Sequence, residues 1–419
     1  MKILLVNSFT RPPGSPRIFP IQLAALASRL IINGHEVRAI DMDEPSADIH
    51  QKFEECLRNQ FYDVIGVSFR NLPLAYWLVG FKPLKKLLAR LRRHAKFIVV
   101  GGAGFSLFYE LVFPELPEAD AGVVGEGEGV MEKLVHNLHS YKSVAGLCYI
   151  EEGKLKLNPP DSLLNGEELP RLMEIPGLVY QGYDSIGLQS YRGCEKNCKN
   201  CTIPGLRGNT FRLRPLDDFL HDLHFLRQKG VNHFRFLNSE FNFPWDHSNQ
   251  LLDLLIKENN EMTWEGFLFP DPAIDYYYLR KAEKAGCRSW HIDLESGNEK
   301  LYSFLHNGLT LDVIRSIQKI FPSCSAKIYY YFTYNFPKET FKEEKDTLNV
   351  ISKLHQAGIP YEQIFSFPYM PYPKTPLADE LKIDLVERKP LWHIQRTITY
   401  MIRPSALFFL KLFFMKGKY

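Results

Sequence analysis

The segment "YRGCEKNCKNCTIP", residues 191–204, holds three of the seven cysteines of this chain. Cys194, Cys198 and Cys201 are separated by three and then by two residues, whereas the other cysteines, at positions 56, 148, 287 and 324, stand alone. Glycine, lysine and asparagine surround the three thiols, so the segment reads as a polar loop rather than as a core element. This pattern raises the question of what the clustered thiols bind.

Length and charge limit the possible answers. The chain has 419 residues and a formal net charge of +3. That length predicts two domains, or one large barrel with an addition. No long basic block is present, so we do not expect nucleic-acid binding. The opening "MKILLVNSF" predicts a strand rather than a signal peptide, and no apolar run approaches the roughly 20 residues that span a bilayer. We therefore expect a cytoplasmic protein, where clustered cysteines more often bind metal than form disulfides.

The amino-terminal half alternates short apolar strands with helices. Runs such as "DVIGVSF" (63–69) and "KFIVVGG" (96–102) are typical of parallel strands buried on both faces. The alternation predicts an α/β, doubly wound (Rossmann-like) domain that binds ligands at the carboxyl ends of its strands. Three of these ends carry distinctive loops, namely "SFRN" (68–71), "GGAGFS" (101–106) and "GEGEG" (125–129). Their glycines allow close approach of a large ligand, and the two carboxylates of "GEGEG" disfavour a dinucleotide pyrophosphate.

The carboxyl-terminal half predicts a second series of strands and helices after a connector with a hairpin. Six strand segments alternate with helices: "SIGLQSY" (185–191), "HFRFLN" (233–238), "TWEGFLF" (263–269), "SWHIDLE" (289–295), "KIYYYFTYNF" (327–336) and "QIFSFPYM" (363–370). This pattern predicts a partial parallel barrel with its active site at the carboxyl ends of the strands. The three cysteines follow the first of these strands directly.

Three interpretations of the cysteine cluster are open at this point. Structural thiols are disfavoured because the segment is polar. A zinc site usually requires a fourth cysteine or histidine at regular spacing, and the nearest downstream histidines, His221 and His224, fall on the next predicted helix. An iron–sulfur cluster uses thiolates that are a few residues apart in a loop. With three thiolate ligands, one iron of a [4Fe–4S] cluster stays open for a substrate.

The spacing Cys194-x3-Cys198-x2-Cys201 after the first barrel strand resembles the signature of the radical S-adenosylmethionine (radical SAM) superfamily. Further segments are similar to that family: "FLNSEFNFP" (236–244), "HIDLESGNE" (291–299), "YNFPKET" (334–340) and "PYPKTPL" (371–377). The loops of the amino-terminal half resemble those of the cobalamin-binding domain that precedes the barrel in one branch. The chain therefore resembles the cobalamin-dependent radical SAM methyltransferases.

The resemblance implies a domain order. We expect a cobalamin-binding, Rossmann-like domain at 1–140, a linker with a hairpin at 141–184, a partial (β/α)6 radical SAM barrel at 185–385 and an apolar helical tail at 386–419.

The resemblance also implies three cofactors. The three cysteines would hold a [4Fe–4S] cluster, whose open iron binds S-adenosylmethionine. Reductive cleavage yields a 5′-deoxyadenosyl radical that takes a hydrogen atom from an unactivated carbon, and methylcobalamin then donates the methyl group. The expected function is C-methylation. Two alternatives are the use of the same cofactors for oxidation, cyclisation or rearrangement, and a non-catalytic metal-binding or sensor protein. The resemblance singles out no catalytic side chain.

The implied binding residues lie at the carboxyl ends of strands. For S-adenosylmethionine they are Ser239, Glu240, Asn242, Glu295 and Ser296. For cobalamin they are Ser68, Arg70, Asn71, Gly101, Gly102, Gly104, Gly125, Glu126 and Gly127.

Three departures from the family pattern concern the cofactors. The loop after the first strand, "TRPPGSPRIFP" (10–20), lacks the DxHxxG motif, so we expect no histidine ligand on cobalt. Asn200 stands before the third cysteine where the family usually has an aromatic residue, and Asn238 stands where aspartate is common.

The remaining expectations concern partners. The resemblance implies a small-molecule, natural-product or lipid-like substrate and an electron donor such as flavodoxin or ferredoxin. The apolar tail "SALFFLKLFFMKGKY" (405–419) is too short to span a membrane. It is expected to cap the barrel or to make peripheral contact with a membrane interface.

Overall fold

The computed structural model describes residues 1–8, 16–69, 74–258, 261–337, 339–370 and 372–381, without the side chains of 74–81 and 322. The chain forms two compact units. The first unit comprises Met1–Glu195 and Thr202–Asn238, and the second comprises Lys196–Cys201 and the chain from Ser239 onward. Arg70, Asn71 and the tail 386–419 lie outside the described residues. Within the described ranges, no helix combines the length and the apolar character needed to cross a membrane.

The first unit is built on a seven-stranded sheet. Its strands are β1 (Lys2–Asn7), β2 (Glu36–Asp41), β3 (Tyr62–Ser68), β4 (Ala95–Gly101), β5 (Ala121–Val123), β6 (Leu147–Glu151) and β7 (Lys154–Leu157). They lie in the order β2-β1-β3-β4-β5-β6-β7, and β1 to β5 are parallel. The pair β6–β7 is the predicted hairpin and adds antiparallel strands to one edge.

The parallel strands are buried as the apolar runs predict. Ile3, Leu4 and Leu5 of β1 have no exposed surface. Five helices connect the strands or follow them: α1 (Ile21–Ile32), α2 (Ile49–Leu57), α3 (Leu74–Leu91), α4 (Ala103–Val112) and α5 (Gly127–His136). The strand order reverses at β1, which lies between β2 and β3. In doubly wound sheets this is the point where a crevice forms at the carboxyl ends of the strands.

Several shorter elements complete the first unit. They are β8 (Gly187–Leu188), β9 (Tyr191–Arg192), α6 (Ile203–Arg207), β10 (Arg212–Leu213), α7 (Leu216–Gln228) and β11 (His233–Phe236). Strands β8 and β11 pair in parallel, and β9 and β10 pair in antiparallel orientation.

The second unit contains four consecutive parallel strands with helices between them. The strands are β12 (Thr263–Phe267), β13 (Cys287–Glu295), β14 (Lys327–Tyr334) and β15 (Ile364–Pro368). The helices are α8 (Trp245–Lys257), α9 (Tyr276–Lys284), α10 (Glu299–Leu305), α11 (Leu311–Ile320), α12 (Phe341–Gln356) and α13 (Pro376–Glu380). Buried residues alternate with half-buried ones along most of β14, so this strand presents one packed face and one more open face.

The six strand segments predicted for the second half all form, as β8 and β11 to β15. One local prediction is wrong. The segment "AGVVGEGEGV" (121–130) predicts a strand, but β5 ends at Val123, because Gly125 has a positive φ of 104° and α5 begins at Gly127. In addition, α4 was not predicted, because its first turn lies within the glycine-rich segment "GGAGFS".

A buried ion network fixes the loop between β5 and α5. Arg192 Nη2 lies 2.6 Å from Glu128 Oε1, and Arg212 Nη2 lies 2.5 Å from Glu126 Oε1. The Arg192 and Glu128 side chains are each only 6% exposed. Burial alone would raise the pKa of Glu128, but the Arg192 guanidinium reverses this effect and holds the pKa below its usual value. Both acidic residues of "GEGEG" are therefore paired with arginines of the first unit.

Replacing Arg192 with Met tests this network. The change leaves Glu128 buried without its cation, which typically costs about 3–5 kcal/mol of unfolding free energy. Native-state hydrogen exchange of peptides from β3 and β4 measures the loss within the first unit. Arg171→Met is the control, because its pair with Asp218 is 52% exposed on the arginine side and is worth at most about 1 kcal/mol. A loss in Arg192→Met no larger than that of the control would contradict the structural role of the network.

Candidate functional site

The three cysteines lie on the segment between β9 and α6. Cys194 is buried, whereas Cys198 and Cys201 are half-buried, and none of them forms a disulfide. Gly193 has a φ of 86°, and a Cβ there would lie 2.0 Å from the Thr210 carbonyl oxygen, so this approach requires glycine. The Cys201 N–H donates to the Cys198 carbonyl at 3.1 Å, which closes a tight turn. The structure therefore presents thiols that are not in disulfides on a compact, hydrogen-bonded loop.

Residues 305–307, at the end of α10, hold the part of this loop that belongs to the second unit. The Lys199 N–H donates to the Leu305 carbonyl at 2.9 Å. The Asn307 side-chain amide donates to the carbonyls of Lys196 and Asn197 at 2.8 and 2.9 Å. We call residues 305–307 the loop clamp. The clamp satisfies backbone groups of the loop and so fixes the position of the half-buried cysteines.

His306, in the middle of the loop clamp, points at one of the cysteines. Its Nδ1 lies 3.7 Å from Cys198 Sγ. The residue is only 8% exposed, and burial lowers the pKa of its ring to about 4, so the imidazole is neutral at pH 7. No motif in the sequence assigns a role to His306.

Three carboxylates form an acidic group in the second unit, namely Glu240, in the segment that follows β11, and Asp293 and Glu295, at the carboxyl end of β13. Burial, together with Asp293, raises the pKa of Glu240 well above its usual value, although Lys196 opposes this effect. Burial, together with Glu295, raises the pKa of Asp293 to about 7, and burial also raises the pKa of Glu295. A cation bound beside these side chains would stabilise their charged forms. The acidic group is therefore suited to a positively charged ligand.

Asn200 links the cysteine loop to the acidic group. Its side-chain amide donates to Glu295 Oε1 at 2.8 Å. The other oxygen, Glu295 Oε2, is buried and has no hydrogen-bond partner in the part of the chain that the structure describes. Glu295 has a positive φ of 58° and lies at an irregularity in the β13–β14 register. The backbone is thus strained at this position, as is common at ligand-binding sites.

The other residues predicted to bind S-adenosylmethionine make mainly structural contacts. Asn242 is fully buried, and its side chain exchanges two 2.9 Å hydrogen bonds with the backbone of Phe269. The Ser296 hydroxyl is buried and accepts from the Asn298 N–H at 3.1 Å. Ser239 is half-buried directly before Glu240. Their contact with a ligand stays a prediction, whereas the structure brings Glu240 and Glu295 into one electrostatic group with Asp293.

A polar relay that the sequence did not reveal lies on the open face of β12 to β14. His291 Nδ1 lies 2.7 Å from the Tyr331 hydroxyl, and His291 Nε2 lies 3.1 Å from Glu265 Oε2. Aromatic rings surround the relay. Phe267 packs on His291, and Phe365 stacks on Tyr331 at 5.2 Å. The signal was present in "HID" (291–293), because residues two apart on a strand share a face, so His291 and Asp293 lie on the same side of β13.

The residues predicted to bind cobalamin lie at the carboxyl ends of neighbouring strands of the first unit. Ser68 pairs with Gly101 across β3 and β4. Gly102 has a φ of 104°, and a Cβ there would lie 2.3 Å from the Phe69 carbonyl oxygen. The Gly125 N–H donates to Ser106 Oγ at 2.9 Å, which ties the "GEGEG" loop to α4. Gly104 is buried within α4, and Gly127 begins α5.

Glu126 is the exception among these residues, because both of its oxygens lie within hydrogen-bond distance of Arg212. The structure therefore gathers the described members of this set at one edge of the sheet and uses Glu126 in the ion network.

The described residues do not form a site for a single metal ion. Within the described residues, no three His, Cys, Asp or Glu side chains are arranged to hold one ion. An iron–sulfur cluster makes a different demand, because its thiolates ligate separate irons. Cysteines outside any disulfide on a hydrogen-bonded loop, together with an acidic group whose pKa values are raised by burial, fit a cluster with a cationic co-ligand.

Comparison with protein families identifies both halves of the chain. A model of the B12 binding domain matches residues 16–135, and a model of the radical SAM superfamily matches residues 188–372. These matches confirm the predicted fold class, with an amino-terminal B12-binding domain and a carboxyl-terminal radical SAM domain.

Relatives in sequence include an uncharacterized methyltransferase of Pyrococcus horikoshii. It is 26% identical over 403 residues, which cover 90% of this chain and 82% of the relative. A tRNA-2-methylthio-N(6)-dimethylallyladenosine synthase of Campylobacter curvus is 27% identical over 221 residues. That match covers 49% of this chain and 48% of the synthase, so the chain spans about half the length of that relative.

Solved structures share the fold across both halves. The radical S-adenosylmethionine methyltransferase TsrM from Kitasatospora setae was solved with cobalamin and a [4Fe-4S] cluster bound. It has a TM-score of 0.76 at 18% identity, and the match covers 90% of this chain and 74% of the TsrM chain. The cobalamin-dependent S-adenosylmethionine radical enzyme OxsB was solved with aqua-cobalamin and S-adenosylmethionine bound. It has a TM-score of 0.73 at 17% identity, and the match covers 91% of this chain and 60% of the OxsB chain. The chain thus carries a B12 binding domain at residues 16–135 and a radical SAM domain at residues 188–372, and it is a radical SAM enzyme.

Proposed function

We propose that this enzyme transfers a methyl group to an unactivated carbon of a small molecule, using a [4Fe–4S] cluster, S-adenosylmethionine and cobalamin. The observation that carries the proposal is the hydrogen bond between Asn200 and Glu295, because it joins the cysteine loop to the acidic group, whose pKa values are raised by burial. The B12 binding domain supports the methyl-transfer part. The relative from Pyrococcus horikoshii, which is an uncharacterized methyltransferase, and TsrM, which is a methyltransferase, support it further.

Different residues of the chain would bind the cluster and S-adenosylmethionine. Cys194, Cys198 and Cys201 would hold the cluster. Glu240 and Glu295 would receive the positively charged S-adenosylmethionine, whose ammonium and sulfonium groups suit buried carboxylates. When bound, the cluster and S-adenosylmethionine supply the radical that removes a hydrogen atom, and cobalamin supplies the methyl group.

The open face of β12 to β15 is where we expect the substrate. Phe267, Tyr331 and Phe365 line it with aromatic rings, and His291 and Glu265 add hydrogen-bonding groups. Rings that stack on one another offer flat apolar surface, and the relay offers a polar anchor. A flat or largely apolar small molecule with one polar group fits this face. TsrM has been solved with its tryptophan substrate, which belongs to this chemical class.

Anaerobic reconstitution tests the proposal. Wild-type protein should take up iron and sulfide, bind cobalamin and form 5′-deoxyadenosine from S-adenosylmethionine under reducing conditions. Cys198→Ala should abolish 5′-deoxyadenosine formation because the cluster loses a ligand, and Cys324→Ala, outside the loop, should retain it. Zinc in place of iron, or product formation by Cys198→Ala, would contradict the cluster. A protein that forms 5′-deoxyadenosine but binds no cobalamin would contradict methyl transfer and favour a different radical reaction.

The role of Asn200 gives a second prediction. Asn200→Ala removes the donor to Glu295 Oε1, so the carboxylate loses its orientation. A hydrogen bond to a charged group is typically worth about 1.5–3 kcal/mol, so S-adenosylmethionine should bind at least about tenfold more weakly. Equilibrium dialysis with reconstituted protein measures the affinity, and Asn209→Ala, an exposed asparagine outside the loop, is the control. The effect should disappear in a Glu295→Gln background. An unchanged affinity with an intact cluster would show that Asn200 does not position Glu295.

A further inference from the structure

The ring of His306 is held in one position. The residue is buried, its backbone N–H donates to the Tyr302 carbonyl at 3.0 Å, and its ring packs on that of Tyr302 with centroids 4.5 Å apart. Phe269 lies against another side, with a centroid distance of 6.5 Å. Leu305 and Asn307, on either side, bond to the backbone of the cysteine loop. His306 therefore has little freedom to turn away from Cys198.

The two ring nitrogens have different surroundings. Nδ1 lies 3.7 Å from Cys198 Sγ, whereas the buried Nε2 has no hydrogen-bond partner within the described ranges. A metal-bound cysteine is a thiolate, which can only accept a hydrogen bond. The contact is therefore a favourable hydrogen bond when Nδ1 carries the ring proton and the sulfur accepts from this N–H.

Hydrogen bonds to the sulfurs are one of the means by which a protein sets the potential of an iron–sulfur cluster. A donor draws electron density from the thiolate. It stabilises the reduced cluster, which carries more negative charge, more than it stabilises the oxidised cluster. A donor on Cys198 therefore raises the reduction potential.

We propose that His306 donates an N–H···S hydrogen bond to Cys198 and raises the reduction potential of the cluster. His306 is thus a tuning and positioning residue rather than a ligand. The inference rests on the proposed function, since it requires the cluster to be present. It extends that proposal by assigning a role to a side chain outside the cysteine motif and outside the predicted binding residues.

Redox titration of the reconstituted enzyme, followed by electron paramagnetic resonance of the reduced cluster, tests the proposal. His306→Leu should shift the midpoint to a more negative potential, with about a tenfold lower ratio of reduced to oxidised cluster at a given potential, or about 59 mV for one electron. His306→Asn places an amide N–H near the position of Nδ1 and should restore most of the wild-type potential. His136→Leu, at an exposed histidine of α5 in the first unit, is the control and should leave the potential unchanged.

A second measurement uses the wild-type protein, in case His306→Leu fails to fold. With isotope-labelled histidine, pulsed electron paramagnetic resonance of the reduced cluster should show a weak nitrogen coupling that is typical of a hydrogen-bonded donor. Absence of the coupling, or a strong coupling from a directly ligated nitrogen, would overturn the proposal. So would a potential that is unchanged in His306→Leu. Failure of the wild-type protein to form any iron–sulfur cluster would instead refute the proposed function.

Discussion

The left-handed backbone of Glu295 is the constraint on which the second-unit site depends. A residue other than glycine held at a positive φ typically costs about 1–3 kcal/mol, so other contacts must maintain it. The irregular register between β13 and β14 permits this conformation, and the Asn200 amide holds the carboxylate that results. The same hydrogen bond connects the cysteine loop to the acidic group. One backbone irregularity thus links the two parts of the site that the chemistry requires to be close.

Two acidic groups of the chain differ in their ion pairing and in the direction in which their pKa values are shifted. Glu126 and Glu128 in the first unit are paired with Arg192 and Arg212, and this pairing holds the pKa of Glu128 low. Glu240, Asp293 and Glu295 in the second unit have raised pKa values because burial is not balanced in this way. The first group therefore stabilises a loop. The second is suited to a ligand that brings its own positive charge.

The sequence predicted much of the fold, because buried parallel strands have continuous apolar runs and β1, β3 and β4 follow that rule. The cysteine spacing, Glu240 and Glu295 were also recognisable from local motifs. The partners of Asn200 and His306 were not, since Glu295 and Cys198 are 95 and 108 residues away along the chain. Asn200 stands where the family usually has an aromatic residue. Its hydrogen bond to Glu295 gives a physical reason for an amide at this position. Contacts of this kind depend on how helices such as α10 pack, which local patterns do not encode.

The central claim is that the cluster held by Cys194, Cys198 and Cys201 has an open iron that binds S-adenosylmethionine. Electron–nuclear double resonance of the reduced, reconstituted enzyme tests it most directly, with S-adenosylmethionine labelled at the amino nitrogen. The account predicts a coupling from that nitrogen, because the amino group ligates one iron directly. A fully assembled cluster that shows no such coupling in the presence of saturating S-adenosylmethionine would contradict the account.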